Sequence, residues 1–109
     1  MNINSSVISA LSSLNLPTYP DVYLGAATEY IVFNIVDERP VLLADDSDRF
    51  EEVIFRVNYF TKGNPETKKA SIKSLLRAAG FNILSLQQFY EDDTKFIHVV
   101  IECSIDGEI

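Results

Sequence analysis

Histidine and cysteine occur once each among these 109 residues, and tryptophan is missing altogether. A single cysteine excludes an internal disulfide framework. One histidine, His98, and one cysteine, Cys103, fall short of the ligand set that a zinc site needs. No Lys or Arg precedes Arg39, so the first third of the chain has no cation to offer a phosphate or an anionic membrane. The same absence leaves the apolar "VISALSSLNL" without the positive flank of a signal peptide, and serines interrupt it. No run approaches the roughly 18 apolar residues of a membrane-spanning helix. The expectation is a protein of the cytosol, or of something assembled there, with no membrane partner. Only four glycines are present, and no two fall close together.

What the chain does have is acid: 16 Asp and Glu against 9 Lys and Arg, a formal charge of −7. That opposes sequence-specific nucleic-acid binding, which draws most of its affinity from basic groups on phosphates. A hydrophobic content of 47 % without low-complexity tracts suits a globular chain, and the length suits one domain over 1–109.

Periodicity supplies the elements. Asn4, Ser5 or Ser6 can cap a short N-terminal helix whose Val7, Ile8, Leu11 and Leu14 share a face; Leu16-Pro17 ends it. "DVYLG" suggests a short edge strand. "EYIVFNIVDE" is the strongest strand pattern, apolar on both faces and therefore expected to be an inner strand covered on both sides. Pro40 fits the start of a separate edge strand through "VLLA", and "DDSD" forms a turn. "FEEVIFRVNYFT" alternates: Val53, Phe55, Val57 and Tyr59 lie on one face, Glu52, Arg56 and Asn58 on the other, with Ile54 and Phe60 as apolar exceptions. A second helix is punctuated by Asn64 as N-cap, Pro65 in its first position, Glu66 in its first turn and Gly80 just past its end. Ile72, Leu75, Leu76 and Ala79 form its core stripe. "NILSLQQFY" and "FIHVVIECSI" flank "EDDTK" as a hairpin. The fold class that follows is α+β: a mainly antiparallel sheet of four to five strands with two helices packed on one face.

No catalytic constellation emerges. "TKGNPETKK" has the strand–loop–helix setting of a phosphate loop, but it holds one glycine, its proline removes an amide, and Lys68-Lys69 precede no Ser or Thr. His98 and Glu102 lie two same-face steps apart on a strand, about 13 Å, too far for a base and its orienting partner. Asp45, Asp46 and Asp48 lack the glycine and distal glutamate of an EF-hand. Cys103 alternates with isoleucine and valine as a buried small hydrophobe does. The chain is therefore read as a non-enzyme without cofactor or metal. What remains is apolar surface: Ile54, Phe60, Phe96 and Val100 lie on faces that two short helices do not reach, which points to burial between subunits.

The order of elements resembles the tail-completion (tail-terminator, head–tail joining) proteins of long-tailed bacteriophages and prophages. The resemblance rests on the N-terminal helix with "VYLG", the "EYIVFNIVDE" strand, the acidic "ADDSDRF" loop, the aromatic strand and Asn-Pro turn of "EEVIFRVNYFTKGNPETKKASIKSLLRAAGF", and the hairpin in "FYEDDTKFIHVVIECSI". Glu29 stands where such proteins often carry proline. The resemblance implies a structural protein that forms a ring, a hexamer, on the head-proximal end of the tail tube. It contacts the major tail tube protein and the head connector or stopper, in a virion assembled in the host cytoplasm. On that reading Asp45, Asp46 and Asp48 face the DNA channel or the tube, and Ile54, Phe60, Phe96 and His98 belong to interfaces. The competing reading is a small ligand- or peptide-binding regulatory module using the sheet face around Tyr30, Phe96 and His98.

Overall fold

The computed structural model describes residues 2–41 and 50–108, so the acidic run with Asp45, Asp46 and Asp48 lies outside the described residues. The chain runs α1 (Ile3–Leu11), β1 (Thr18–Pro20), β2 (Glu29–Val41), β3 (Phe50–Thr61), α2 (Glu66–Ala78), β4 (Asn82–Tyr90) and β5 (Ile97–Glu108). The five strands form one sheet in the order β1-β2-β3-β5-β4. Three of the pairings are antiparallel and β1–β2 is parallel. This is the expected α+β class, with both helices on one face.

One hydrophobic core joins all the layers. Val53, Phe55, Val57 and Tyr59 of β3 are fully buried, as their alternation predicts, together with Ile31 and Phe33 of β2 and Val99, Ile101 and Cys103 of β5. Above them sit Ile3, Val7 and Leu11 of α1 and Ile72 and Leu76 of α2. Phe81 closes the end, its ring edge-on to Phe55 at 5.1 Å between centroids. Burying one such aromatic or branched side chain stabilises the fold by about 1.5–3 kcal/mol. Three strands of 12 or 13 residues give the molecule its long dimension, 51 Å against 25 Å in the other two directions.

Several local expectations are corrected. The α1 cap is Asn2, whose Oδ1 accepts from the Ser5 N–H at 3.1 Å. The inward stripe is Ile3, Val7 and Leu11, a strict four-residue repeat that turns Ile8 outward. The edge strand is Thr18–Pro20 rather than "DVYLG", and Asp21–Thr28 is a loop. Pro40 does not begin a new strand: β2 continues through it to Val41, opposite Glu51 and Phe50. Proline is tolerated there because β1 covers β2 only at Ile31–Phe33, which leaves the rest of β2 as an outer edge. Nor is β2 covered throughout, since Ile35 and Val36 are exposed around its bulge at Ile35/Asp37.

The link from β3 to β4 is a crossover. α2 begins at Glu66, with Pro65 in the capping position and the Asn64 Oδ1 accepting from the Glu66 N–H at 2.9 Å. The Gly63 N–H donates to Thr61 Oγ1 at 3.1 Å. These amides, which a phosphate cradle would aim at its ligand, are already used within the turn. Gly80 terminates α2 with φ of 94°, in the left-handed region that favours glycine. Of the expected stripe, Ile72 and Leu76 are buried, Leu75 is half-buried and Ala79 is exposed.

Candidate interaction surface

The face of the sheet away from the helices carries a row of stacked rings. In-register pairing sets Tyr30 of β2 opposite Phe60 of β3, Phe60 opposite His98 of β5, and His98 opposite Phe89 of β4. Adjacent ring centroids along this row lie 4.8, 4.2 and 6.2 Å apart, the first two pairs stacked. Tyr23 extends the row beyond β2, stacked on Tyr30 at 4.5 Å, with Tyr19 next at 5.4 Å. Phe96 stands edge-on to both Tyr30 and Phe60, and the Lys62 ammonium lies 5.0 Å from its ring. Each aromatic pair adds about 0.5–1.5 kcal/mol beyond the area it buries.

Tyr23 is held by its own loop. Its hydroxyl accepts from the Ala27 N–H at 3.1 Å, and its ring end lies in the place that a Cβ on Gly25 would take. A side chain at 25 would require the Tyr23 ring to shift. The loop roofs the β1/β2 side of the open face, where Asp21, Val22 and Tyr23 line a hollow of about 260 Å³ with Tyr30, Val32 and Asn34. Its tip, Leu24, is 90 % exposed.

The β5/β4 side is unroofed. A hollow of about 330 Å³ lies there between Asn58, Gln87, Phe89, His98 and the ion pair Arg56–Glu102. Arg56 and Glu102 are register partners with Nε and Oε1 3.3 Å apart. Glu102 therefore serves Arg56, and His98 finds its acid elsewhere: Glu91 Oε2 lies 3.5 Å from Nδ1. Asn58 donates to the Val32 carbonyl at 3.0 Å and to Asn34 Oδ1 at 3.2 Å, which leaves its Oδ1 to accept from His98 Nε2–H at 2.9 Å. Burial pushes the His98 pKa down, and Glu91 opposes that shift. Burial also raises the Tyr30 hydroxyl, with Glu91 and Tyr23 adding to it.

Glu29 has a role of its own at the end of the sheet. The Tyr59 hydroxyl, on a ring buried in the core, donates to Glu29 Oε2, and Lys68 Nζ of α2 lies 3.5 Å from the same oxygen. Burial and then this bond raise the Tyr59 pKa. The carboxylate ties β2, β3 and α2 together where a proline could not.

Of the residues singled out from sequence, Phe60, Phe96 and His98 come together in one cluster. Ile54 shares their face but lies six residues along β3 from Phe60, about 20 Å away. Asp45, Asp46 and Asp48 fall outside the described residues. Sequence reading missed Tyr19, Tyr23 and Phe89, although Tyr23-x-Gly25 was the available signal of a ring packed on its own turn. Cys103 lies on the core face, where burial raises its thiol to about 12, out of reach of nucleophilic chemistry near neutrality. Among the described residues no three His, Cys, Asp or Glu side chains gather as a metal would require, and no helix is long and apolar enough to cross a membrane.

No family model and no curated protein sequence matches this chain. Solved structures do, among them a chain from the virion of a native gene transfer agent (GTA) particle, with a TM-score of 0.65 and 14 % identity over 98 % of this chain and 95 % of that one. The two chains share a fold.

Proposed function

We propose that this chain is a non-catalytic structural protein of a phage-like virion. It acts at the tail, where it forms a ring, a hexamer, that caps the head-proximal end of the tube and joins it to the head connector. Its partners are other copies of itself, the major tail tube protein and the connector or stopper.

The observation that carries this reading is a helix-covered sheet whose second face and edges remain open, on a fold shared end to end with a chain of a GTA virion. Oligomeric assembly covers such surfaces. The net charge of −7 is consistent with a particle that passes DNA without binding it. Asp45, Asp46 and Asp48 are assigned to the channel or tube side, and Ile54, Phe60, Phe96 and His98 to interfaces.

Negative-stain microscopy of the protein mixed with tail tubes tests the reading. Discrete caps at one tube end are expected, and tubes with bare ends at saturating protein would sink it. The triple variant Asp45→Lys/Asp46→Lys/Asp48→Lys should assemble poorly or block ejection, and virions that eject DNA normally would remove the acidic run from the channel. The competing ligand-binding module would use the depression beside His98. Against it, the two opposite charges at that hollow, Arg56 and Glu102, satisfy each other.

A further inference from the structure

The lateral ends of the sheet both expose apolar side chains, Leu24 at one and Phe89 at the other; charge tells them apart. Residues 62–90 hold five Lys and Arg against one acid, Glu66, while the rest of the chain holds four against fifteen. A chain of −7 therefore carries one segment of the opposite sign. Its centre is α2, where Lys69, Lys73 and Arg77 recur every fourth residue and form a ridge along one side of the helix. The Lys69 ammonium lies 3.1 Å from Gln88 Oε1, which turns that ridge toward β4, and Arg77 borders Asn82 and Ile83 at its far end. Lys69 is paired with Glu66, but among the described residues no ion pair reaches Lys73 or Arg77. β4 itself has no charged residue. The acids that follow it, Glu91, Asp92 and Asp93, lie past Gln88, at the Lys69 end, and Glu91 is already held by His98 and Thr94.

The other lateral side of the molecule is acidic. There α1 packs beside β1, as α2 does beside β4. Past β1, the outer edge of β2 carries Asp37 and Glu38, and Glu51 of β3 stands opposite Pro40. Register sets Glu38 opposite Val53, and Glu51 lies two residues before Val53, so both carboxylates belong to the helix-side face. Arg39 serves Asp37 and Glu52, at 3.6 and 3.0 Å. Glu38 and Glu51 enter no ion pair among the described residues.

We propose that the Lys73/Arg77 ridge of one copy receives the Glu38/Glu51 side of the next. The inference rests on the self-assembly reading above and names its surfaces. Charge complementarity selects a second copy as the occupant. Two chains of −7 repel in most orientations, and the one that sets residues 62–90 against a neighbour's β2 side brings opposite charges together. Both patches lie on the helix-side face, at opposite lateral sides, so a side-by-side neighbour meets them without turning over. Such a contact between unlike patches is heterologous, and it closes into a ring or runs on as a filament. The charges fix register and exclude wrong pairings rather than supply most of the affinity.

The test is charge exchange on the full chain, read by sedimentation velocity. A helix variant, Lys73→Glu/Arg77→Glu, and an arm variant, Glu38→Lys/Glu51→Lys, should each self-associate about tenfold more weakly than the parent. An equimolar mixture of the two should regain the parent's association, because reversed helix meets reversed arm and native helix meets native arm. Circular dichroism matching the parent confirms that each variant is folded, and Lys73→Gln/Arg77→Gln, expected to weaken association in the same direction, replaces a reversal that is not. Folded variants that associate as the parent does would overturn the contact and leave self-assembly standing. A mixture that stays dissociated, or an arm variant that behaves as the parent while the helix variant does not, would overturn the pairing of these two surfaces. Retardation of a DNA duplex by the parent, lost in the helix variant, would overturn it in favour of a phosphate backbone on the ridge. A parent that is monomeric at every concentration would overturn the contact, while the tube-capping role is judged separately by the microscopy above.

Discussion

The two faces of the sheet are made by the same strands and obey different rules. The covered face is apolar throughout: Phe33, Phe55 and Tyr59 are wholly buried there with Ile31, Val53, Val57, Val99 and Ile101, under α1 and α2. On the open face, ring stacking at one end gives way to the Asn34–Asn58–His98 hydrogen bonds and the Arg56–Glu102 pair. The open face is therefore not a broad greasy sheet in search of cover. Its apolar character is concentrated in the stacked row and at the two lateral ends. The difference teaches that the fold can be held by one face while the other is left to set what the molecule touches.

The largest test of that division is a matched pair. Phe55→Ala on the covered face removes a fully buried ring and should cost about 3–5 kcal/mol. Phe60→Ala on the open face removes a half-buried ring and three ring pairs, and should cost less, about 2 kcal/mol. Thermal melts of the two variants check this; equal losses would dissolve the distinction between the faces. Phe60→Ala is also expected to weaken self-association by more than its melt suggests, read by sedimentation.

Next in size is Gly25→Ala, whose methyl group occupies the place of the Tyr23 hydroxyl. Expelling that ring from its stack should cost about 1–2 kcal/mol, from the Ala27 hydrogen bond and one stacked pair together. Near-ultraviolet circular dichroism should lose part of its tyrosine signal; an unchanged spectrum would mean the ring does not rest there. Tyr59→Phe comes third. It deletes the bond to Glu29, and because that carboxylate is partly solvated and keeps Lys68, the loss should be about 1 kcal/mol by denaturant titration.

The smallest effect is a pH dependence confined to the open face. The folded-state pKa of His98 lies below its ordinary 6.5, so between the two values the unfolded chain holds a proton that the folded chain does not. Stability contributed by the neutral ring is present above 6.5 and is lost as pH falls below it. His98→Gln should flatten that slope in urea titrations run from pH 7 to pH 5. An identical slope would mean that Glu91 cancels the burial.

Much of the covered face was legible in the sequence because burial imposes a period. Val53-Phe55-Val57-Tyr59 and Ile97-Val99-Ile101-Cys103 put an apolar side chain at every second position, and Asn64, Pro65 and Gly80 mark the ends of α2 by chemistry that acts locally. The open face was less legible because its order depends on register, which no single strand contains. Phe60 and Phe96 were noticed as apolar exceptions and His98 as the one histidine, yet only pairing sets Tyr30, Phe60, His98 and Phe89 abreast. Glu29 read as a departure from a family habit until the Tyr59 hydroxyl, 30 residues away in sequence, supplied its reason. The misplacement of the first edge strand has the same cause: Thr18–Pro20 is a strand because β2 offers it a parallel partner, not because of its own composition.

The clamp formed by Tyr23 and Gly25 has a consequence for docking kinetics and affinity alike. A leucine at the end of a floppy loop would surrender its freedom at the moment of contact, and that loss would be subtracted from the binding energy. Leu24 is set out in solvent by a turn that the Ala27–Tyr23 hydrogen bond and the Tyr23–Tyr30 stack already restrain in the folded chain. Whatever it meets therefore meets a preformed peg, and the entropic penalty of association falls on the folding step instead.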